Sequence, residues 1–269
     1  MTVRFIVRIL VGIIVWGSTF AVAMPDAWAT TRVLPKDTKL HPQGWAAGDP
    51  VQFRKNTVVN CNDQEEVVTG TLDKDTLLAP RGWSRVIDDY YFATVYDGTG
   101  PYFGRFGTRP FFGRNYPVAI PGYGHLLYKG GTVVTFSEQG EVVSGTIAHK
   151  ATLRLIEGKY GYVTFKEDTV LRFYNSGAVL TGTLDEDTYL RPVGWQKLLT
   201  GNDAAGYIKF SKGKNAIFNE TGELTAGTVK DAVTLLAEDG THKEFPAGST
   251  LQWNENGAAI KEKFAQSMP

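Results

Sequence analysis

One seven-residue pattern recurs ten times along this chain: an apolar residue, two variable ones, Asp, Asn or Gly in most copies, Thr in most copies, one more variable residue and a second apolar one. The copies begin at Leu34, Phe53, Leu72, Tyr128, Ile147, Phe165, Leu184, Phe210, Val229 and Phe245, and most neighbouring starts lie eighteen or nineteen residues apart. Such regular spacing marks a repeat architecture, in which a small unit buries its apolar face only against its neighbours. Most of the recurring residues are therefore there to fold the chain. The first apolar position alternates strictly, Phe or Tyr in one copy and Leu, Ile or Val in the next, so two unlike halves make a unit of about 37 residues.

Each unit reads as short strands joined by tight turns. In VLRFYNSGAVLTGTL, Leu171 and Phe173 alternate with Val170 and Arg172, and the run breaks at Asn175-Ser176-Gly177 before an apolar stretch resumes. Equivalent breaks fall at Ser137-Glu138-Gln139-Gly140, Asn219-Glu220-Thr221-Gly222 and Asn254-Glu255-Asn256-Gly257, where Gly supplies the left-handed conformation of a short hairpin loop; the first unit departs with Glu65. At the second turn class, exemplified by Asp168-Thr169 and Asp187-Thr188, Asp is expected to accept backbone N–H groups just ahead of it. A glycine follows nine residues after Cys61, Phe136, Phe173 and Phe218, at Gly70, Gly145, Gly182 and Gly227. Glycine inside a strand points to a bulky group lying against bare backbone, here expected to be the aromatic of the hairpin partner.

Helical periodicity is absent outside the first residues, so the expected architecture is all-β: tandem hairpin repeats of about 19 and 37 residues forming an antiparallel meander, with a β-solenoid or a propeller-like stack as alternatives. The G-x-V-x-x-G-T-L segment resembles that of MORN-type hairpin repeats. Their shorter period and paired Tyr/Gly spacing are not found here, so no family is assigned.

The first two dozen residues read as an export signal. Arg4 and Arg8 are followed by an apolar stretch from Ile9 to Gly17 and by small residues at Ala21 and Ala23, which sets residues 1–23 as a signal peptide with cleavage as late as residue 29, after Ala27-Trp28-Ala29. The apolar run is too short to span a hydrocarbon layer of about 30 Å, so no stable membrane span is expected after cleavage. The expected address is periplasmic, cell-surface or secreted. The single cysteine, Cys61, rules out an internal disulfide and occupies the slot filled elsewhere by Phe136, Phe173, Phe218 and Trp253, which assigns it to packing.

With 28 basic and 28 acidic residues and no Lys/Arg run, nothing suggests a phosphate-tracking stripe, and nucleic acid is not an expected partner. The repeats occupy residues 30–83 and 126–261, with a tail at 262–269. Between them, residues 84–125 hold eleven aromatics and four arginines that no repeat demands. Long loops on a rigid frame commonly carry binding, and aromatic rings beside Arg suit a glycan, a peptidoglycan fragment or an envelope protein. The candidate contact residues are Tyr90, Tyr91, Tyr102, Phe103, Arg105, Phe106, Arg109, Phe111 and Tyr116. The competing reading has these rings packing against the sheet, or the insertion holding two degraded copies of the repeat.

Catalytic signals are thin. His41, His125, His149 and His242 show no metal-ligand spacing, no G-x-S-x-G motif occurs, and no cofactor or metal is implied. Asp88-Asp89 is the one carboxylate pair that would serve a glycan-cleaving enzyme, the alternative to a non-catalytic binding or structural module. The Asp73/Asp75 and Asp185/Asp187 pairs read as turn formers rather than Ca²⁺ ligands. Three Pro-x-Gly-Trp bends, ending in Trp45, Trp83 and Trp195, are either edge closures or stacking platforms, with closure favoured.

Overall fold

The computed structural model describes residues 30–45, 49–82, 125–155, 162–198 and 206–261. The signal peptide, the C-terminal tail and all nine candidate contact residues of the insertion lie outside these, as do Trp83, Asp88 and Asp89.

The described chain forms 21 strands and a 3-10 turn at Trp195–Leu198. Eleven strands build one antiparallel sheet in the order β1 (Thr30–Val33), β4 (Val58–Cys61), β5 (Val67–Thr71), β8 (Val133–Phe136), β9 (Val142–Thr146), β12 (Val170–Phe173), β13 (Val179–Thr183), β16 (Asn215–Phe218), β17 (Leu224–Thr228), β20 (Thr250–Trp253) and β21 (Ala259–Lys261). The other ten pair as two-stranded ribbons: β2 (Thr38–Leu40) with β3 (Val51–Phe53), β6 (Thr76–Leu78) with β7 (Leu126–Tyr128), β10 (Ala151–Arg154) with β11 (Tyr162–Phe165), β14 (Thr188–Leu190) with β15 (Ile208–Phe210), and β18 (Val233–Leu236) with β19 (His242–Phe245). The fold is thus an all-β antiparallel meander of hairpin repeats. A single sheet runs through all units, rather than the separate blades of a propeller, and parallel pairing is confined to isolated bridges.

The ten heptads sit at five equivalent corners where the main sheet passes into the ribbons. At each corner the first residue of an aliphatic copy exchanges two backbone hydrogen bonds with the turn of the next aromatic copy. Leu184 N–H donates to Lys214 O at 3.0 Å and receives Gly213 N–H at 2.7 Å, and Leu34, Leu72, Ile147 and Val229 repeat the arrangement. The two halves use the fourth heptad position differently. In aromatic copies it takes a left-handed backbone, at Asn56, Gly131, Asp168, Gly213 and Gly248, with φ between 58° and 78°. In aliphatic copies the residue is Asp wherever it caps: Asp37, Asp75 and Asp187 accept the backbone N–H of Lys55, Gly130 and Lys212 at 2.7–2.9 Å. The expectation of a local Asp turn is corrected here, because these carboxylates reach across the ribbon to the partner turn, where an exposed N–H has no ladder partner. Threonine at the fifth position closes its own turn by donating to a carbonyl two or three residues back, as Thr188 does to Glu186 at 2.8 Å and Thr169 to Lys166 at 2.6 Å.

Ribbons pack on one face of the main sheet around a single apolar core. The strand glycines make this approach close enough. A Cβ at Gly70, Gly145, Gly182 or Gly227 would stand 2.5–3.0 Å from the ring of Phe53, Tyr128, Phe165 or Phe210. The ring over each glycine is therefore the heptad aromatic of the ribbon, not the aromatic of the sheet hairpin, which instead packs edge-on with the ribbon ring of the preceding unit. Phe53 meets Phe136 at 6.4 Å, Phe165 meets Phe218 at 6.3 Å and Phe210 meets Trp253 at 5.8 Å between centroids. Cys61 is fully buried in this layer, and burial pushes its thiol pKa up, consistent with packing and not reactivity.

Candidate functional site

The five ribbons end in tips of very different length. From the last paired residue of one strand to the first of its partner, the tips span residues 41–50, 79–125, 155–161, 191–207 and 237–241. These are ten, forty-seven, seven, seventeen and five residues. The long aromatic insertion is thus a ribbon tip. Its stem is held as tightly as the others: Thr76, Leu77 and Leu78 pair with Tyr128, Leu127 and Leu126, in the same register that joins Thr188, Tyr189 and Leu190 to Phe210, Lys209 and Ile208. β5 pairs directly with β8 across the root of the insertion.

The described roots of four tips lie at the end of the molecule that carries the hairpin turns of the main sheet. Parallel bridges join Pro42 to Val67, Pro80 to Val142, Pro192 to Leu224 and Ala237 to Ala259. The Pro-x-Gly bends then lie across the turn of the following hairpin. Gly82 lies against Gly177 and Gly194 against Gly257, both so close that a Cβ on the bend glycine would stand 2.5–2.8 Å from the facing Cα. Gly44 N–H donates to Glu66 Oε2 at 3.0 Å, Gly82 N–H donates to Glu141 Oε2 at 3.1 Å, and the Gln43 amide reaches Phe136 O at 2.7 Å. Arg81, which opens the long insertion, is tied down on three sides: its Nε donates to Asn175 O at 2.9 Å, and its Nη1 to Glu141 Oε2 at 3.0 Å and to Ser137 Oγ at 3.3 Å. With Glu141 almost fully buried, the ion pair and the bond to Asn175 O together anchor the root of the insertion to two successive hairpin turns.

The tryptophans of the bends divide. Trp45 packs against the core and over Gly140, so edge closure is its role. Trp195 is half-buried beneath the Arg191 guanidinium, whose carbon lies 3.9 Å from the Trp195 ring centroid and 4.4 Å from that of Tyr207. Beside it, Tyr189 is 62% exposed, Tyr207 43% and Tyr162 39%, and Lys209 Nζ lies 5.6 Å from the Tyr189 ring. These tyrosines rim a shallow depression of about 40 Å³ floored by Leu155, Val163 and Leu190. This cluster is not legible in linear order. Its only linear signal is that Tyr189 stands where the other ribbons carry Lys39, Leu77, Thr152 and Thr234.

The aspartates read as turn formers have structural partners. Asp73 accepts Gln52 Nε2 at 2.9 Å, Asp185 pairs with Lys150 at 3.7 Å, and Asp187 pairs with Lys230 at 3.3 Å. The backbone N–H of Lys212, and then Lys230, hold the Asp187 carboxyl below its ordinary pKa. Among the described residues no group of three His, Cys, Asp or Glu side chains is placed to hold a metal ion. Comparisons with protein-family models, curated proteins and solved structures gave no match to this chain.

Proposed function

We propose that this is an exported, non-catalytic β-repeat protein that binds a cell-envelope or extracellular partner through the aromatic insertion at residues 84–125. The observation that carries the reading is the stem of that insertion. Forty-seven residues leave one ribbon between Leu78 and Leu126, yet the ribbon keeps the register of its neighbours and Arg81 fastens the exit. The root of the insertion is bridged at Pro80 to Val142, as Pro42 and Pro192 at the roots of two other variable tips are bridged to Val67 and Leu224, which supports an insertion presented beside them. Tyr90, Tyr102, Phe106, Phe111 and the arginines between them supply the rings and forked donors that a glycan, a peptidoglycan fragment or an envelope protein would meet. Arg4, Arg8 and the short apolar run after them support delivery to that compartment.

Deleting residues 86–123 from the mature protein tests the reading. The shortened chain is expected to keep its β-sheet circular dichroism and its cooperative melt while losing retention on isolated cell envelopes. Undiminished retention would refute it.

A further inference from the structure

The Tyr162–Tyr189–Tyr207 cluster lies apart from the insertion in sequence and on different ribbons, and it has features that folding does not require. The ribbon aromatics that serve the core, Phe53, Tyr128, Phe165 and Phe210, are buried to 1% exposure or less. Tyr189, by contrast, is the second residue of its strand and turns outward, where its counterparts Lys39, Leu77, Thr152 and Thr234 include no aromatic. Tyr162 and Tyr207 hold the same position on adjacent ribbons, each one residue before the β-strand residues Val163 and Ile208 that pack inward. Three phenol rings thus converge on one depression from three separate positions, and water-exposed rings of this size are costly unless something covers them.

Two cations border the rings. Lys209 is the direct cross-strand partner of Tyr189 and sits beside its ring, while Arg191 is stacked between Trp195 and Tyr207. Among the described residues, acidic side chains also lie nearby: Asp187, already paired with Lys230, is within electrostatic reach of Lys209, and on the hairpin turn that contributes Gly222 to the rim Glu223 is engaged with Asn219 Nδ2 at 3.1 Å and Thr221 Oγ1 at 3.3 Å while Glu220 is exposed. The depression itself, at about 40 Å³, is too small to enclose a drug-sized ligand and large enough for one substituent of a ligand lying flat on the rim.

From this combination we infer a second binding site, independent of the insertion, for an acidic saccharide: the sugar face stacks on Tyr189, and its carboxylate is drawn to Lys209 and Arg191. Flat rings accept the apolar C–H face of a pyranose, and the adjacent cations select a uronic acid over a neutral hexose. The stacked guanidinium has lost most of its rotamer freedom before the ligand arrives, which lowers the ordering cost of binding.

The test uses the full mature chain and follows Trp195 fluorescence, with a galacturonic acid oligosaccharide, a galactose oligosaccharide of equal length and poly-glutamate as probes. The acidic sugar is expected to bind at least about 10-fold more tightly than the neutral one. Tyr189→Ala is expected to weaken it by about 10-fold with an unchanged melting temperature, and Lys209→Gln to reduce the acidic-over-neutral preference without abolishing stacking. The 86–123 deletion is expected to bind the acidic sugar as the intact chain does. Equal binding of both sugars, binding of poly-glutamate as tight as that of the acidic sugar, no binding of either sugar, or wild-type affinity in Tyr189→Ala would each overturn the inference.

Discussion

The two ends of this molecule are built by opposite rules. At the corner end the ten heptads place the same backbone hydrogen bonds and the same left-handed residue at five equivalent positions, with a Thr or Asp closure at four of them. At the tip end the connecting segments run from five to forty-seven residues, and what their described residues share is a parallel bridge onto the sheet, found at four of the five roots. The corner must turn two antiparallel layers over one another with every backbone group satisfied, which leaves few solutions. The tip needs only to return the chain in register, and loop-closure entropy rises so slowly with length that a long insertion costs little. Variation, and with it the room for recognition, therefore accumulates at one edge.

The sharpest way to break this comparison is to truncate a ring on each side of it. Phe165→Ala empties a fully buried site between Gly182 and Phe218 and is expected to cost about 3–5 kcal/mol in urea unfolding, whereas Tyr189→Ala one ribbon on should change stability by less than about 0.5 kcal/mol. Comparable losses at the two positions would show that the outward rings are also part of the core.

A smaller effect of opposite sign is expected at Tyr128. Its ring fills the slot of Phe53, Phe165 and Phe210, but its hydroxyl is buried without a hydrogen-bond partner, and burial pushes its pKa far up. Tyr128→Phe removes a desolvated hydroxyl and is expected to stabilise the fold by about 1 kcal/mol, read as a higher denaturant midpoint at unchanged slope. A loss of stability would mean that the hydroxyl has a function at the stem of the insertion.

The smallest effect, and one confined to acid, concerns the Asp caps. The Asp187 carboxyl has a folded-state pKa below its unfolded value because the Lys212 N–H and Lys230 favour the charged form. Its contribution is therefore complete above the ordinary aspartate pKa of about 3.9 and is lost as pH falls through the lower folded value. Asp187→Asn should flatten the acid limb of the melting curve below about pH 4 and leave the slope above pH 5 unchanged. An identical acid limb in the variant would place that linkage elsewhere.

Much of the frame was legible in linear order because each repeated residue answers a local need. Alternating Leu171 and Phe173, the Asn175-Ser176-Gly177 break and the paired Leu184 and Phe210 classes announce strand, hairpin and two-part unit from the period alone. Partners across space were not legible. The sequence marked Gly182 as a bare strand position but not Phe165 as the ring above it, and it marked Asp187 as a turn residue but not Lys212 as its donor. Both contacts depend on how far the ribbon folds back over the sheet, which no residue states by itself.

The same division holds for function. The sequence by itself determined a β-repeat chain with one ring-rich interruption and an export-like start, because periodicity, turn chemistry and composition are properties of neighbours along the chain. Only the tertiary structure decided that the interruption is a ribbon tip rooted by Arg81, and that Tyr162, Tyr189 and Tyr207 share one surface. Those facts arise where separate strands are brought side by side by hydrogen bonds and by burial of a common core, and such proximity is written in packing rather than in order.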